Sequence, residues 1–151
     1  MKPSFSEFQF AYSVTRELDD NPARLFGLPY IPNQREEALH GYDVAFPNGF
    51  IPLFLQFKLA ERLIQPNANQ WNDFNRSYFR FNIYPDNRSH QHNSLRQLAL
   101  SDSNFLVCYC APLFIEFQDL MQYHLNFPMP DFLATPECTW SESLTSHALA
   151  F

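Results

Sequence analysis

The stretch Ile51-Pro52-Leu53-Phe54-Leu55-Gln56-Phe57-Lys58-Leu59 constrains this chain more than any other segment. It is far shorter than the roughly 20 apolar residues needed to span a membrane, and its nearly continuous apolar character is that of a central strand covered on both faces. A strand of that kind needs packing layers above and below it, which points to a sheet protein with helices on its faces. The segment His40–Phe46 runs into Pro47-Asn48-Gly49 and then directly into the apolar run, so the two read as an antiparallel hairpin.

The remaining elements follow from caps and periodicity. Ser4 and Ser6 each precede Glu7 or Gln9 by three residues, and Phe8, Ala11, Tyr12, Thr15 and Leu18 recur at helical spacing, which predicts a capped amphipathic helix ended by Asp19-Asp20-Asn21-Pro22. Residues 23–37 read as a loop with a short helix near Asn33–Ala38, Ala60–Ile64 as a short exit, and Gln65–Asn75 as a loop. Tyr78–Tyr84 alternates cleanly and predicts a third strand. His90–Leu100 predicts a helix, Asn104–Cys110 a fourth strand, and Phe114–Tyr123 another helix. The chain has 12 Pro and only 3 Gly, so these elements are expected to be short and sharply bounded. The expectation is one α/β domain over residues 1–151, ordered helix, strand, strand, strand, helix, strand, helix. Ser146–Phe151 reads as a last strand, on which the chain either ends or is truncated.

Composition removes several function classes. With 46% hydrophobic and 17% charged residues the chain is globular, not disordered. The absence of an apolar span or signal core predicts a soluble, cytoplasmic protein without a membrane partner. A net charge of −6 argues against a basic coat for nucleic acid, so any such contact is local or supplied by something else. Cys108, Cys110 and Cys138 read as reduced thiols, because Cys108 and Cys110 have poor disulfide geometry and no zinc-knuckle spacing. His90 and His92 do not share a helix face, no Gly-x-Ser-x-Gly elbow exists, and no Gly-rich phosphate loop exists.

The informative residues are polar ones set inside apolar strands. Gln56 and Lys58 are two apart and point to one side of the sheet, and the hairpin brings Asp43 beside one of them. Carboxylate and amide oxygens suit Mg²⁺, while a neighbouring ammonium stabilises developing negative charge. The chemistry implied is phosphodiester hydrolysis. Each residue also has an ordinary structural explanation: Lys58 reaching for solvent, Gln56 bonded to a backbone group, Asp43 capping a turn or pairing with Arg80. Arg76 and Arg80 interleave with the aromatics Tyr78, Phe79 and Phe81, and with Arg88 and Arg96 they form the one local concentration of positive charge.

These residues, in this order, resemble the PD-(D/E)XK nuclease superfamily, with its restriction-endonuclease-like fold. The resemblance spans roughly Ser4 to Pro112 and implies an α-β-β-β-α-β core. It implies that Asp43 is a metal-binding acid, that Gln56 stands where the family has its second acid, and that Lys58 is the catalytic lysine. It further implies Glu7, with Glu17 behind it, as a metal ligand on the first helix, and Gln91 as a substrate-orienting residue on the helix after the third strand. No Pro precedes Asp43, and Gln56 removes one charge from the ligand set. The expectation is a Mg²⁺- or Mn²⁺-dependent nuclease, with DNA favoured over RNA, acting in bacterial defence or DNA processing. Arg76 and Arg80 are the expected substrate contacts, and a protein partner or homo-oligomer supplies affinity. The competing expectation is a catalytically inactive module of the same shape that binds a protein or nucleic acid.

Overall fold

The computed structural model describes residues 1–20, 26–67, 71–74, 76–83 and 90–125. The expected final strand at 146–151, Cys138, Arg88 and Tyr84 lie outside these residues, and the strand expected over Tyr78–Tyr84 is extended only at Tyr78–Arg80. The chain is a mixed α/β protein. Its elements are α1 (Glu7–Asp19), α2 (Gln34–His40), β1 (Val44–Phe46), β2 (Leu53–Phe57), β3 (Glu61–Leu63), α3 (Trp71–Phe74), β4 (Tyr78–Arg80), α4 (His90–Ser101), β5 (Leu106–Cys110) and α5 (Phe117–Leu125).

All five residues of β2 are buried, as expected of a strand covered on both sides. It is the middle strand of a three-stranded sheet, antiparallel to β1 and parallel to β5. Period-two alternation separates its two faces. Leu53, Leu55 and Phe57 join Val44, Phe46, Cys108 and Cys110 against Phe10, Val14 and Leu18 of α1 and Leu120 of α5. Phe10 meets Phe57 edge to face, with ring centroids 5.9 Å apart. On the other side Phe54, Ala45, Val107 and Tyr109 pack with Tyr42, Phe81 and Leu95 of α4. The result is a three-layer arrangement with the sheet in the middle, and both cysteines of β5 are buried without a disulfide.

Four segments differ from the sequence reading. The segment expected as a strand from His40 is helical up to His40, and only Val44–Phe46 is extended. Asn33 and Glu36 form a capping box at the start of α2, and Gly41 ends it in the left-handed conformation at φ 83°. The third strand does not join the central sheet. Both edges of β2 are already occupied, and β4 instead pairs with β3, the segment expected to be only an exit, in register Glu61↔Arg80 and Leu63↔Tyr78. Residues 71–74, expected as loop, form a single helical turn.

Candidate active site

Asp43 lies between the end of α2 and the start of β1. Its backbone N–H donates to the Leu55 carbonyl at 2.8 Å, which sets its side chain alongside the end of β2. There Oδ2 accepts hydrogen bonds from the Phe57 backbone N–H at 2.7 Å and from Gln56 Nε2 at 2.8 Å. Among the described residues no donor reaches Oδ1. Gln56 is the sole buried amide or charged side chain among them, 2% exposed. Its Nε2 also donates to the Phe57 carbonyl at 3.1 Å, and its Oε1 accepts from Gln91 Nε2 at 2.7 Å. Gln91 Oε1 in turn accepts from Lys58 Nζ at 3.3 Å.

The four side chains therefore make one continuous polar chain, from carboxylate through two amides to ammonium. Its direction is fixed by its ends. Turning either amide around would set a carbonyl against the Asp43 carboxylate or an NH₂ group against the Lys58 ammonium. The sequence logic behind this placement is simple: alternation puts Gln56 and Lys58 on the α4 side of the sheet, and the hairpin register carries Asp43 to the same place.

Gly41 holds the fourth member in position. A Cβ on this residue would lie 2.5 Å from the Gln91 carbonyl oxygen and 3.1 Å from Leu95. The end of α2 thus rests directly on the first turn of α4. Gly41→Ala would add left-handed strain to that collision, and a stability loss of about 2 kcal/mol or more is expected in chemical denaturation. A midpoint equal to that of the parent protein would show that the two helices are not braced there.

Electrostatics single out Asp43. Burial is the largest influence on its carboxyl and raises its pKa from the ordinary 3.8 to about 6. The hydrogen bond from the Phe57 N–H and the Lys58 charge oppose this, while the negative charges of Glu37 and Glu7 reinforce it. Tyr109, the register partner of Gln56 on β5, is also shifted upward, by burial first and then by the Asp43 charge. No protein-family model, curated protein or solved structure matches the chain.

Of the residues singled out in the sequence, Asp43, Gln56, Lys58 and Gln91 come together. Glu7, in the first turn of α1, is close enough for its charge to be felt at Asp43. Glu17 is not part of this group: it lies ten residues further along α1, about 15 Å by helical rise, lining a small cleft with Phe10, Ser13 and His124. Arg80 donates from Nε to Glu61 Oε1 at 2.9 Å across the β3–β4 ribbon. That pairing replaces the Asp43–Arg80 contact considered from sequence. Arg76 is exposed just ahead of β4. Two groups near the site were missed by sequence reasoning. Glu37 could have been found from the Asn33 capping box, which places it in the first turn of α2, and Tyr109 only from knowing that β5 runs beside β2.

A divalent cation fits this donor set in chemical terms. Asp43 Oδ1 is a hard oxygen that takes no protein hydrogen bond among the described residues, Gln56 Oε1 retains a second lone pair, and Glu7 and Glu37 add negative charge around them. Among the described residues no three His, Cys, Asp or Glu side chains are grouped as a metal cage. Mg²⁺ is commonly held by one or two carboxylates together with waters and substrate phosphates, so such a cage is not a requirement.

Proposed function

We propose that this chain is a Mg²⁺-dependent nuclease of the PD-(D/E)XK type, cleaving phosphodiester bonds in DNA, and that its sheet is a variant of that superfamily's core. One observation carries the reading. Asp43, Gln56, Lys58 and Gln91 come from a loop, one strand and a distant helix, yet they join in a single hydrogen-bonded chain on one sheet face. A surface lysine reaching for solvent and an amide satisfied only by backbone would not produce that convergence.

In this reading Asp43 and the Gln56 carbonyl would hold the cation, with Glu7 supplementing the negative charge. The ion would supply Lewis-acid stabilisation of the phosphate and a more acidic water. The chain's own work falls to the other residues. Lys58, half-buried and held by Gln91, directs its ammonium at a phosphate oxygen or at the attacking water, where the low local dielectric strengthens its pull. Gln91 sets the position of Nζ. Arg76 offers an exposed cation to the substrate backbone, whereas Arg80 is already neutralised by Glu61. The overall charge of −6 leaves DNA affinity dependent on a protein partner or on self-association. No helix among the described residues is long and apolar enough to cross a membrane. A cytoplasmic role in defence or DNA processing belongs to the same proposal.

The test is cleavage of plasmid DNA with and without Mg²⁺ by the parent protein and Lys58→Ala. Metal-dependent cleavage that falls about 100-fold in the variant is expected. A folded parent protein that cleaves neither single- nor double-stranded DNA would overturn the proposal. One observation favours a second reading, a non-cleaving module of the same shape: Gln56 is uncharged and its carbonyl already accepts from Gln91. That reading expects partner binding without turnover.

A further inference from the structure

The candidate site has a neighbour that the chain Asp43–Gln56–Gln91–Lys58 does not use. His92 follows Gln91 on α4, and its ring lies almost parallel to that of Tyr109, at 12° with centroids 6.1 Å apart. His92 Nδ1 is 3.2 Å from the Tyr109 hydroxyl oxygen. Tyr109 is the register partner of Gln56 on the parallel strand β5, and its hydroxyl lies within electrostatic reach of the Asp43 charge. Gln56 and Tyr109 thus occupy adjacent strand positions at one end of the sheet, Asp43 sits beside Gln56 just ahead of β1, and α4 supplies both Gln91 and His92. Lys58 stabilises negative charge in the proposed reaction and Asp43 holds the cation, which leaves the proton for the departing oxygen to another group. A half-buried imidazole, oriented through one ring nitrogen by a buried phenol, is suited to that task.

We propose that His92 is the general acid of this site and Tyr109 the positioning residue that orients it; the proposal rests on the nuclease reading above. In this step a water oxygen forms a bond to phosphorus as the bond from phosphorus to the leaving sugar oxygen breaks. That oxygen receives the proton carried on His92 Nε2, and departs as an alcohol. His92 Nδ1–H donates to the Tyr109 oxygen throughout, which fixes the tautomer and the ring plane. The attacking water gives up its proton to solvent, and His92 recovers one from solvent, so the protons balance over a turnover.

A general acid matters when the leaving group is a poor one. The experiment compares two substrates, plasmid DNA and bis(4-nitrophenyl) phosphate, whose nitrophenolate departs as a stable anion and needs no proton. Parent protein, His92→Ala, His92→Gln and Tyr109→Phe are assayed on both, with circular dichroism to confirm folding. The expected result is that His92→Ala loses at least 30-fold more activity on DNA than on the nitrophenyl ester. Tyr109→Phe should show the same imbalance to a smaller degree. Equal losses on both substrates, or no loss on DNA, would overturn the assignment of His92 while leaving the nuclease reading intact. A parent protein inactive on both substrates would overturn both. His92→Gln retains a polar side chain that can meet the Tyr109 hydroxyl but cannot cycle a proton. Full DNA activity in that variant would also rule out the proposed step.

Discussion

Asp43→Asn is expected to stabilise the protein at pH 8 while abolishing metal-dependent cleavage. The asparagine oxygen can accept from both Phe57 N–H and Gln56 Nε2, so the hydrogen bonds at the end of β2 survive. What changes is charge. The Asp43 carboxyl titrates at about 6 in the folded protein against an ordinary 3.8, so between those values the folded state binds more protons than the unfolded chain. Stability from this group is therefore greatest at low pH and is lost as pH rises through about 6. A two-unit shift corresponds to at most about 3 kcal/mol, and because Asp43 is partly open to solvent a gain of about 1 to 2 kcal/mol in the variant is the working figure. Melting curves across pH 4 to 8 should show a slope in the parent protein that flattens in Asp43→Asn. Activity moves oppositely. The variant should lose about 1,000-fold or more in cleavage, and the Mg²⁺ concentration the parent needs should rise as pH falls through about 6, because the proton competes with the cation for the carboxylate. A variant less stable than the parent at pH 8 would show that the charge of Asp43 is compensated in the folded state.

The second large effect is expected from Gln56→Glu. Restoring an acid here replaces the Nε2–H that Asp43 accepts with a carboxylate oxygen, so two carboxylates meet in a buried setting. Without metal, that juxtaposition is expected to cost about 3 kcal/mol, or roughly 6 to 12 °C in melting temperature for a chain of this size. With millimolar Mg²⁺ most of the loss should return, because the cation binds the folded state and neutralises the pair. The measurement is the metal-induced shift in melting temperature, which should be several degrees larger in Gln56→Glu than in the parent. If Mg²⁺ gives the variant no added stabilisation, the site is not a cation site.

The convergence of Asp43, Gln56 and Lys58 was legible because it rests on two local rules, alternation along a strand and the register of a hairpin, whereas Gln91, on a distant helix, came only from the family resemblance. A polar residue inside an apolar strand is conspicuous, and its face follows from counting by two. Other parts were not legible for the opposite reason. Helix α2 buries none of its residues, so it carries no apolar period, and its capping residues were the only signal of its length. The pairing of β4 with β3 depends on β5, which arrives much later in the chain, having taken the second edge of β2. The same long-range fact hides Tyr109 and, through it, the surroundings of His92. From sequence His92 could be weighed only as a metal ligand beside His90, because the partner that gives it a different meaning lies on another strand.

The outer side of β1 is closed in a particular way. Tyr30 and Ala45 exchange both backbone hydrogen bonds, at 2.7 and 2.9 Å, in an isolated bridge. A sheet rim left open is a template for another chain, and a single bridging residue at mid-strand is enough to interrupt it. The Tyr30 bridge therefore occupies the outward-facing N–H and C=O of Ala45, at the middle of the three-residue strand β1. A second copy adding edge to edge along β1 would have to displace Tyr30 from that bridge first, so the rim favours the lone chain over a sheet shared between copies.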